Sequence, residues 1–238
     1  MVTLRIIWFR GTLALSRQPL NCYNSSSMSK FTVFYLEIFL LVILPIFLFN
    51  FSSNYFTYRP IFMVAGGLYC ALRLWRSSAT MASLGIHKAK FVSATKDLIL
   101  PSTLLVLVTY VIFTITPIPL LKTIVGYDPL SVKTIWERLL GYVFVSVPVQ
   151  EIIFRGYVTW RIREVFSSVK IMEFISVAIF VFIHIPFHSP LLLLLTLGMG
   201  IVYIRNYQKF ENLFAPIVSH AFVGACLVII RNAWFPYT

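Results

Sequence analysis

The sequence predicts an all-α fold, a polytopic transmembrane helical bundle with about seven spans. Three observations predict it: 59% of the 238 residues are hydrophobic, only 12% are charged, and the mean hydropathy is +0.86. A soluble domain is typically about 45–50% apolar and about 25% charged. A water-soluble fold would need more polar surface than this chain supplies. A bilayer removes that need, so the lipid bilayer is the first expected partner.

Apolar runs of the length that crosses a bilayer, roughly 17–25 residues, recur along the whole chain. We expect seven spans, at about residues 32–50, 59–76, 97–117, 136–159, 171–188, 190–205 and 212–232. Pro148 interrupts the fourth run, which makes it the least regular. The less apolar segment 119–135 predicts an outer loop with room for an interfacial helix. Aromatic residues near span ends are typical of interfacial belts: Tyr58, Trp75, Tyr127, Trp136, Trp160, Tyr203, Tyr207 and Trp234.

The net charge of +12 is explained by how the chain is oriented in the membrane. Most Lys and Arg residues lie between apolar runs, where they orient spans in the membrane, so nucleic acid is not an expected partner. With seven spans most of them fall on one side, which predicts a cytoplasmic N-terminus in a plasma or inner membrane. Residues 1–31 are predicted to be a flexible extension. Met28 is the favoured natural start, and a targeting segment is the alternative.

Ionisable and strongly polar residues inside the spans are the candidates for function. Each such charge costs about 2.5–3.5 kcal/mol on insertion scales, so it is a functional hypothesis by default. The candidates are Glu37, Gln150, Glu151, Arg155, Glu173, His184, His188 and His220. Glu37 and Glu173 lie near span ends, where a basic partner or the interface is within reach, and His188 lies beside two prolines at a span end. These three are expected to be structural or tolerant of replacement.

The fourth span carries the densest polar group. Glu151 and Arg155 are four residues apart, so on a helix they share a face and can pair. That pair by itself can be a neutralised ion pair without further function. Gln150 points about 100° away around the helix. His184 and His220 lie on two further spans, and their combination with this group predicts a shared site.

These residues form a pattern in chain order. The fourth span has Gln150-Glu151-Ile152-Ile153-Phe154-Arg155-Gly156, the fifth has Phe180 four residues before His184, and the seventh has Asn212-Leu213 and Pro216-Ile217 before His220. Over about residues 140–230 the chain resembles the CAAX-protease and bacteriocin-processing family of intramembrane endopeptidases.

The resemblance implies a helical bundle that hydrolyses peptide bonds of prenylated, peptide or membrane-protein substrates. We therefore expect two parts after the N-terminal extension: N-terminal transmembrane helices at 32–135, predicted from hydrophobicity, and a catalytic transmembrane core at 136–238 that resembles this family. The resemblance further implies that a Glu activates water, while the two His position that water or stabilise the oxyanion. The expected catalytic residues are therefore Glu151, His184, His220, Gln150 and Arg155.

Two positions depart from the family pattern. Gln150 stands where the first Glu is expected, and a neutral amide can orient water but cannot take its proton. Gly224 stands where an Asn is expected, so one oxyanion donor is missing. In the favoured interpretation Glu151 supplies the base. The alternatives are an inactive relative with Glu151 locked to Arg155, retained for binding or immunity, and a small transporter, because intramembrane charges also mark ion paths.

The attacking group is expected to be activated water without a cofactor. No H-E-x-x-H signature occurs, and Ser219 diverges from its neighbour His220 on a helix, which argues against a Ser-His dyad. A bound zinc is the alternative. Its ligands would be His184, His220 and Glu151, a set that suits a catalytic zinc with open positions.

Overall fold

A computed structural model describes residues 29–50, 55–77, 82–125 and 132–235. The predictions for the N-terminal extension up to residue 28, and for Tyr127, lie outside these ranges. Within them, every regular element is helical. The long helices follow the predicted spans, so the all-α bundle of about seven spans is confirmed.

Eight helices are numbered here in chain order. Their bounds are α1 (30–50), α2 (Tyr55–Trp75), α3 (Phe91–Ile115), α4 (Ile118–Val125), α5 (132–165), α6 (Val169–Phe182), α7 (Pro190–Phe210) and α8 (Phe214–Trp234). Among the described residues six helices are long and apolar enough to cross a membrane, and Ile61–Trp75 of α2 is a shorter apolar helix. The short α4 lies in the predicted outer segment. The chain is a polytopic integral membrane protein.

Serine side chains mark where several spans begin. The hydroxyls of Ser29, Ser168 and Ser189 accept hydrogen bonds from the backbone N–H three residues later, at 3.1, 3.4 and 3.2 Å. Asn212 does the same before α8, where its Oδ1 accepts from the Ala215 N–H at 3.1 Å. Such caps satisfy backbone donors that the first helical turn leaves without a partner.

Prolines lie inside several spanning helices without ending them, among them Pro101 of α3. Pro45 follows a π-helical turn at Phe39–Ile43, and Pro148 follows another at Tyr142–Ser146. A π turn widens the helix by one residue, which relieves the clash between the proline ring and the preceding turn. The fourth span, predicted at 136–159, thus continues through Pro148 and extends beyond both predicted ends, over 132–165.

The described residues form four apolar clusters, and the two largest of them are the main cores of the bundle. One is shared by α1, α2, α5 and α6, and the other by α3, α7 and α8. Small residues allow close approach between helices, as is usual in membranes. A Cβ at Gly200 of α7 would meet the Phe180 side chain at 3.3 Å, and a Cβ at Gly67 of α2 would meet Val149 at 3.6 Å. The site lies where the two cores meet.

Two tyrosines predicted for the interfacial belt lie in the interior instead. Tyr203 and Tyr207 are only 1% and 3% exposed. The Tyr207 hydroxyl donates to the Leu84 carbonyl at 3.0 Å, and the Tyr203 hydroxyl accepts from Ser219 at 3.2 Å. Their hydroxyls find partners within the protein, so the belt prediction was wrong for both.

Candidate active site

Glu151, Arg155 and His220 form one buried group, called here the Glu151 cluster. Arg155 Nη1 lies 3.0 Å from Glu151 Oε1, which is the predicted pairing across one helical turn. His220 of α8 places Nδ1 2.7 Å from the same oxygen. A carboxylate oxygen only accepts, so His220 Nδ1 carries a hydrogen and donates it. Glu151 thus joins α5 to α8.

The second oxygen of this carboxylate is different. Glu151 Oε2 is buried and has no hydrogen-bond partner among the described residues, and Glu151 as a whole is 0% exposed. A buried polar atom without a partner costs about 1–3 kcal/mol, more when it is charged. Such an atom calls for an explanation in terms of function or strain.

Aromatic rings surround the cluster. The Arg155 guanidinium carbon lies 3.7 Å from the centre of the Phe180 ring and 5.5 Å from that of Tyr203. A cation over an aromatic face gains about 2 kcal/mol when desolvated. Phe180 also contacts His184 and His220 edge-on, at 4.9 and 5.7 Å between ring centres. The first residue of the Phe-x-x-x-His motif therefore packs against both imidazoles and the arginine.

His184 has a defined tautomer. Its Nδ1 lies 2.7 Å from the Phe180 carbonyl oxygen, and a carbonyl can only accept. Nδ1 therefore carries a hydrogen, and in the neutral ring the lone pair is on Nε2. The side chain is 8% exposed, at the end of α6 where the helix gives way to the tight turn Ile185–Phe187.

Gln150 shares a cavity with His184. This cavity of about 90 Å³ lies between α1, α2, α5 and α6, and its lining is Leu41, Val42, Pro45, Ile46, Phe62, Met63, Gly66, Gln150, Ile153, Phe154, Ile183, His184 and Phe187. The Gln150 amide donates to the Ser146 hydroxyl at 2.9 Å. Its Oε1 is buried and has no partner among the described residues. Gln150 therefore brings an acceptor without a partner to the wall of a cavity that is large enough for several waters.

The predicted site residues therefore fall into two neighbouring groups. Glu151, Arg155 and His220 are in direct contact with one another, whereas Gln150 and His184 line the cavity. Phe180 joins the groups because its ring touches both imidazoles. Glu151 does not line the cavity, although it is the next residue after Gln150.

Tyr142 was not a predicted site residue. Its ring centre lies 6.0 Å from that of His220, edge-on, and its hydroxyl lies against Gly224 of α8. A tyrosine in an apolar run gives no distinguishing signal in the sequence. Gly224 did stand out there, as a departure from the family pattern, and Tyr142 lies against it.

Two other candidates lie apart from the site. His188 is exposed and has φ of 49°, just after the turn Ile185–Phe187. Ser219 is beside His220 in sequence, yet its hydroxyl bonds Ser102 at 2.7 Å and Tyr203 at 3.2 Å. Ser219 is therefore engaged in helix packing.

A second buried carboxylate lies in the first core, and its surroundings are called the Glu37 cluster. Glu37 Oε1 accepts from the Tyr69 and Tyr157 hydroxyls, both at 2.9 Å, and from Arg73 Nε at 3.1 Å. Its Oε2 accepts from Arg161 Nε at 2.7 Å. Glu37 was expected near a span end with a basic partner within reach. It is buried with two arginines, and the cluster ties α1 to α2 and α5.

The predicted zinc ligands do not form one set. His220 and Glu151 are in contact, but Glu151 Oε1 is also bonded to Arg155, and His184 belongs to the cavity. Over the part of the chain that the structure describes, no three His, Cys, Asp or Glu side chains converge as metal ligands. The arrangement of these described side chains does not fit a metal site.

A comparison with known protein families gives a match over the part of the chain that contains the candidate site. Residues 132–226 match the family model described as type II CAAX prenyl endopeptidase Rce1-like. The match runs from the start of α5 into α8 and includes all five predicted site residues. The resemblance noted from the motifs is thereby confirmed over these residues. No curated protein and no solved structure matches the chain.

Proposed function

We propose that the protein is an intramembrane endopeptidase, because residues 132–226 match the family model of the Rce1-like type II CAAX prenyl endopeptidases. In this proposal it hydrolyses a peptide bond of a membrane-held substrate by means of water bound between Gln150 and His184. The N-terminus is cytoplasmic, in keeping with the distribution of Lys and Arg, and the enzyme acts in a plasma or inner membrane.

One observation carries the proposal. The buried Gln150 Oε1, which lacks a partner among the described residues, belongs to the same cavity wall as His184. An amide oxygen accepts a hydrogen bond from water and orients its lone pairs. The Nε2 lone pair of His184 can take a proton, and histidine is the side chain that most often serves as a general base.

The chemistry then follows in two steps. His184 Nε2 takes a proton from the water while the water oxygen bonds to the carbonyl carbon, and the carbonyl electron pair moves onto its oxygen. When this oxyanion collapses, the carbon–nitrogen bond breaks. His184 returns the proton to the leaving amine, so the site ends in its starting state. The Nδ1–H bond to the Phe180 carbonyl holds the ring in the required tautomer.

Glu151 has a positioning role in this proposal. Its Oε1 is shared between Arg155 and His220, and the residue does not line the cavity. It holds His220 in one orientation and is itself neutralised by Arg155. The hypothesis that Glu151 takes the proton stays a prediction, supported by the buried Oε2 that has no partner among the described residues, and the experiment below separates the two.

The substrate class follows from the cavity lining. Apart from Gln150 and His184 the lining is apolar, and α1 and α2 contribute a large part of it. A peptide with a prenyl or other lipid tail can keep that tail among apolar side chains or lipid while its carbonyl reaches the two polar groups. A lipidated protein or peptide is therefore the proposed substrate.

Purified protein in detergent should be assayed on a prenylated peptide and on the same peptide without the prenyl group. We expect cleavage by the wild type, with preference for the lipidated peptide. His184→Ala should lower kcat by at least about 100-fold, the usual contribution of a general base. His188→Asn is the matched control, since it replaces the neighbouring exposed histidine with a residue that tolerates its positive φ. It should cleave like the wild type.

Glu151→Gln and Gln150→Glu complete the series. Full activity in His184→Ala together with none in Glu151→Gln would transfer the base role to Glu151. Cleavage that appears only in Gln150→Glu would identify an inactive relative that has lost its base. That alternative has its own support, since no carboxylate of the described residues lines the cavity. Inactivity of every variant would exclude a peptidase.

A further inference from the structure

The Gln150 amide has two chemically different ends, and only one of them suits the water of the proposed reaction. That water gives one hydrogen to His184 Nε2. If it gives its second hydrogen to an amide oxygen, both of its lone pairs stay available for the carbonyl carbon. An amide nitrogen can only donate, so it would occupy one of those lone pairs instead. The direction in which the amide points therefore matters for the reaction.

One contact holds the nitrogen end of this amide. Gln150 Nε2 donates to the hydroxyl oxygen of Ser146, one helical turn earlier on α5, at 2.9 Å. Oε1 is the other end, and it is buried without a hydrogen-bond partner among the described residues. Gln150 lines the cavity together with His184. The end of the side chain that is left for water is therefore an acceptor.

The serine hydroxyl by itself does not set this direction, because a hydroxyl can donate as well as accept. It has one hydrogen and two lone pairs. If the Ser146 hydrogen pointed at Gln150, the amide would bond it through Oε1 and turn Nε2 the other way. The two orientations of an amide have nearly the same shape, so hydrogen bonding decides between them.

Met63 of α2 decides the direction of the serine hydrogen. The Ser146 hydroxyl donates to Met63 Sδ at 3.7 Å, and a thioether sulfur can only accept. The single hydrogen of Ser146 therefore points to α2, and its lone pairs face N–H donors such as the Gln150 amide. Met63 also lines the cavity. Two successive hydrogen bonds thus connect α2 to the amide.

We infer that Ser146 and Met63 are positioning residues that hold the Gln150 amide with its oxygen towards the water. The inference rests on the proposed hydrolysis and deepens it, since both residues act through Gln150. Ser146 lies within the region matched by the family model, whereas Met63 lies outside it. An N-terminal helix therefore contributes to the arrangement of the reactive groups as well as to the apolar wall.

The first test is Ser146→Ala, which removes the acceptor of the Gln150 amide. We expect kcat to fall by about tenfold with KM within about twofold, because a misplaced group slows the chemical step more than it weakens binding. Ser176→Ala is the matched control, since it removes the hydroxyl of a buried serine on α6 that does not line the cavity. It should cleave like the wild type. Unchanged kcat in Ser146→Ala, with an active wild type, would overturn the inference and leave the proposed function standing.

A second test asks whether Met63 acts through Ser146. Met63→Leu nearly conserves volume but takes away the sulfur that accepts the serine hydrogen. We expect kcat to fall by about fivefold in the wild type, whereas the same substitution in the Ser146→Ala background should change nothing further. Met199→Leu, in the second core, is the control and should cleave like the wild type. Equal losses in both backgrounds would refute the positioning role of Met63.

A third test needs no substrate. Ser146→Ala should lower the thermal unfolding temperature by about 2–4 °C, because the amide N–H loses its acceptor. The shift should be smaller in a Gln150→Met background, which has no amide to satisfy. Equal shifts in both backgrounds would show that Ser146 does not hold the amide and would overturn the inference. A wild type that cleaves no peptide would overturn the proposed function and, with it, the positioning role, whatever the unfolding temperatures.

Discussion

The Glu37 cluster and the Glu151 cluster each contain a buried carboxylate, and the two carboxylates are satisfied to different degrees. Glu37 uses both oxygens, with three donors on Oε1 and Arg161 on Oε2. Glu151 concentrates Arg155 and His220 on Oε1 and leaves Oε2 without a partner among the described residues. Both clusters draw an arginine from α5.

The difference distinguishes a carboxylate that holds helices together from one that belongs to a reactive site. Both oxygens of the Glu37 carboxylate are hydrogen-bonded, so this group is fully satisfied in its present position. Its contacts hold α1, α2 and α5 together. A buried carboxylate oxygen without a hydrogen-bond partner costs free energy, and such unsatisfied groups are common at functional sites. Variants at both clusters test this contrast.

The largest expected effect is that of Arg155→Ala. It leaves Glu151 buried at 0% exposure without its cation. Loss of one partner of a buried ion pair typically costs about 3–5 kcal/mol. We expect little folded protein after detergent extraction, as judged by size-exclusion chromatography and thermal unfolding.

The matched control removes the whole ion pair. Arg155→Met/Glu151→Leu removes both charges of this ion pair, so it should recover much of the lost stability while remaining inactive. If Arg155→Ala unfolds at the wild-type temperature, the ion pair does not support the fold as argued.

Glu37→Gln should come second. It keeps the shape of the side chain but withdraws the negative charge from Arg73 and Arg161. Hydrogen bonds to charged groups contribute about 1.5–3 kcal/mol each, and we expect an overall loss of about 2 kcal/mol because the amide oxygen still accepts. Peptidase activity per folded molecule should stay within about twofold. A loss of activity much larger than the loss of folded protein would place Glu37 in the chemistry.

Tyr157→Phe should have a smaller effect. Tyr157 is 1% exposed and its hydroxyl donates to Glu37 at 2.9 Å. Removing one of the four donors should cost about 1 kcal/mol in thermal unfolding, with activity unchanged. In the Glu37→Gln background the same substitution should cost less, because its charged acceptor has been removed. Additive effects would argue that the hydroxyl and the carboxylate act independently.

His188→Asn should have the smallest effect, since His188 is exposed and lies in neither cluster. Surface substitutions of this kind stay within about ±0.5 kcal/mol. Thermal unfolding of this variant provides the baseline against which the other shifts are read. A shift above about 1 kcal/mol would reveal a role for the turn that follows His184.

Much of the fold could be predicted because the bilayer restricts the backbone. A spanning segment must satisfy its own hydrogen bonds, so apolar runs of sufficient length give helices with little ambiguity. The pairing of Glu151 with Arg155 was equally accessible, since it depends on spacing within one helix.

The rest depends on packing between distant segments. The donors of Glu37 come from α2 and α5, up to 124 residues away, and no local pattern indicates that they meet. Tyr203 looked interfacial by position but is turned inward by its contact with Ser219. The approach of the Tyr142 hydroxyl to Gly224 joins α5 to α8 across 82 positions of sequence, and no local pattern indicates it.

The cavity wall has a consequence for engineering. Gln150 and His184 come from α5 and from the end of α6, within the region matched by the family, whereas the facing wall is built by α1 and α2, outside that region. The two polar groups thus come from α5 and α6, and the apolar surface opposite them comes from α1 and α2. Redesign of what the protein accepts should begin with Leu41, Ile46 and Phe62. Met63 should be kept, because its sulfur contacts the Ser146 hydroxyl that accepts from the Gln150 amide.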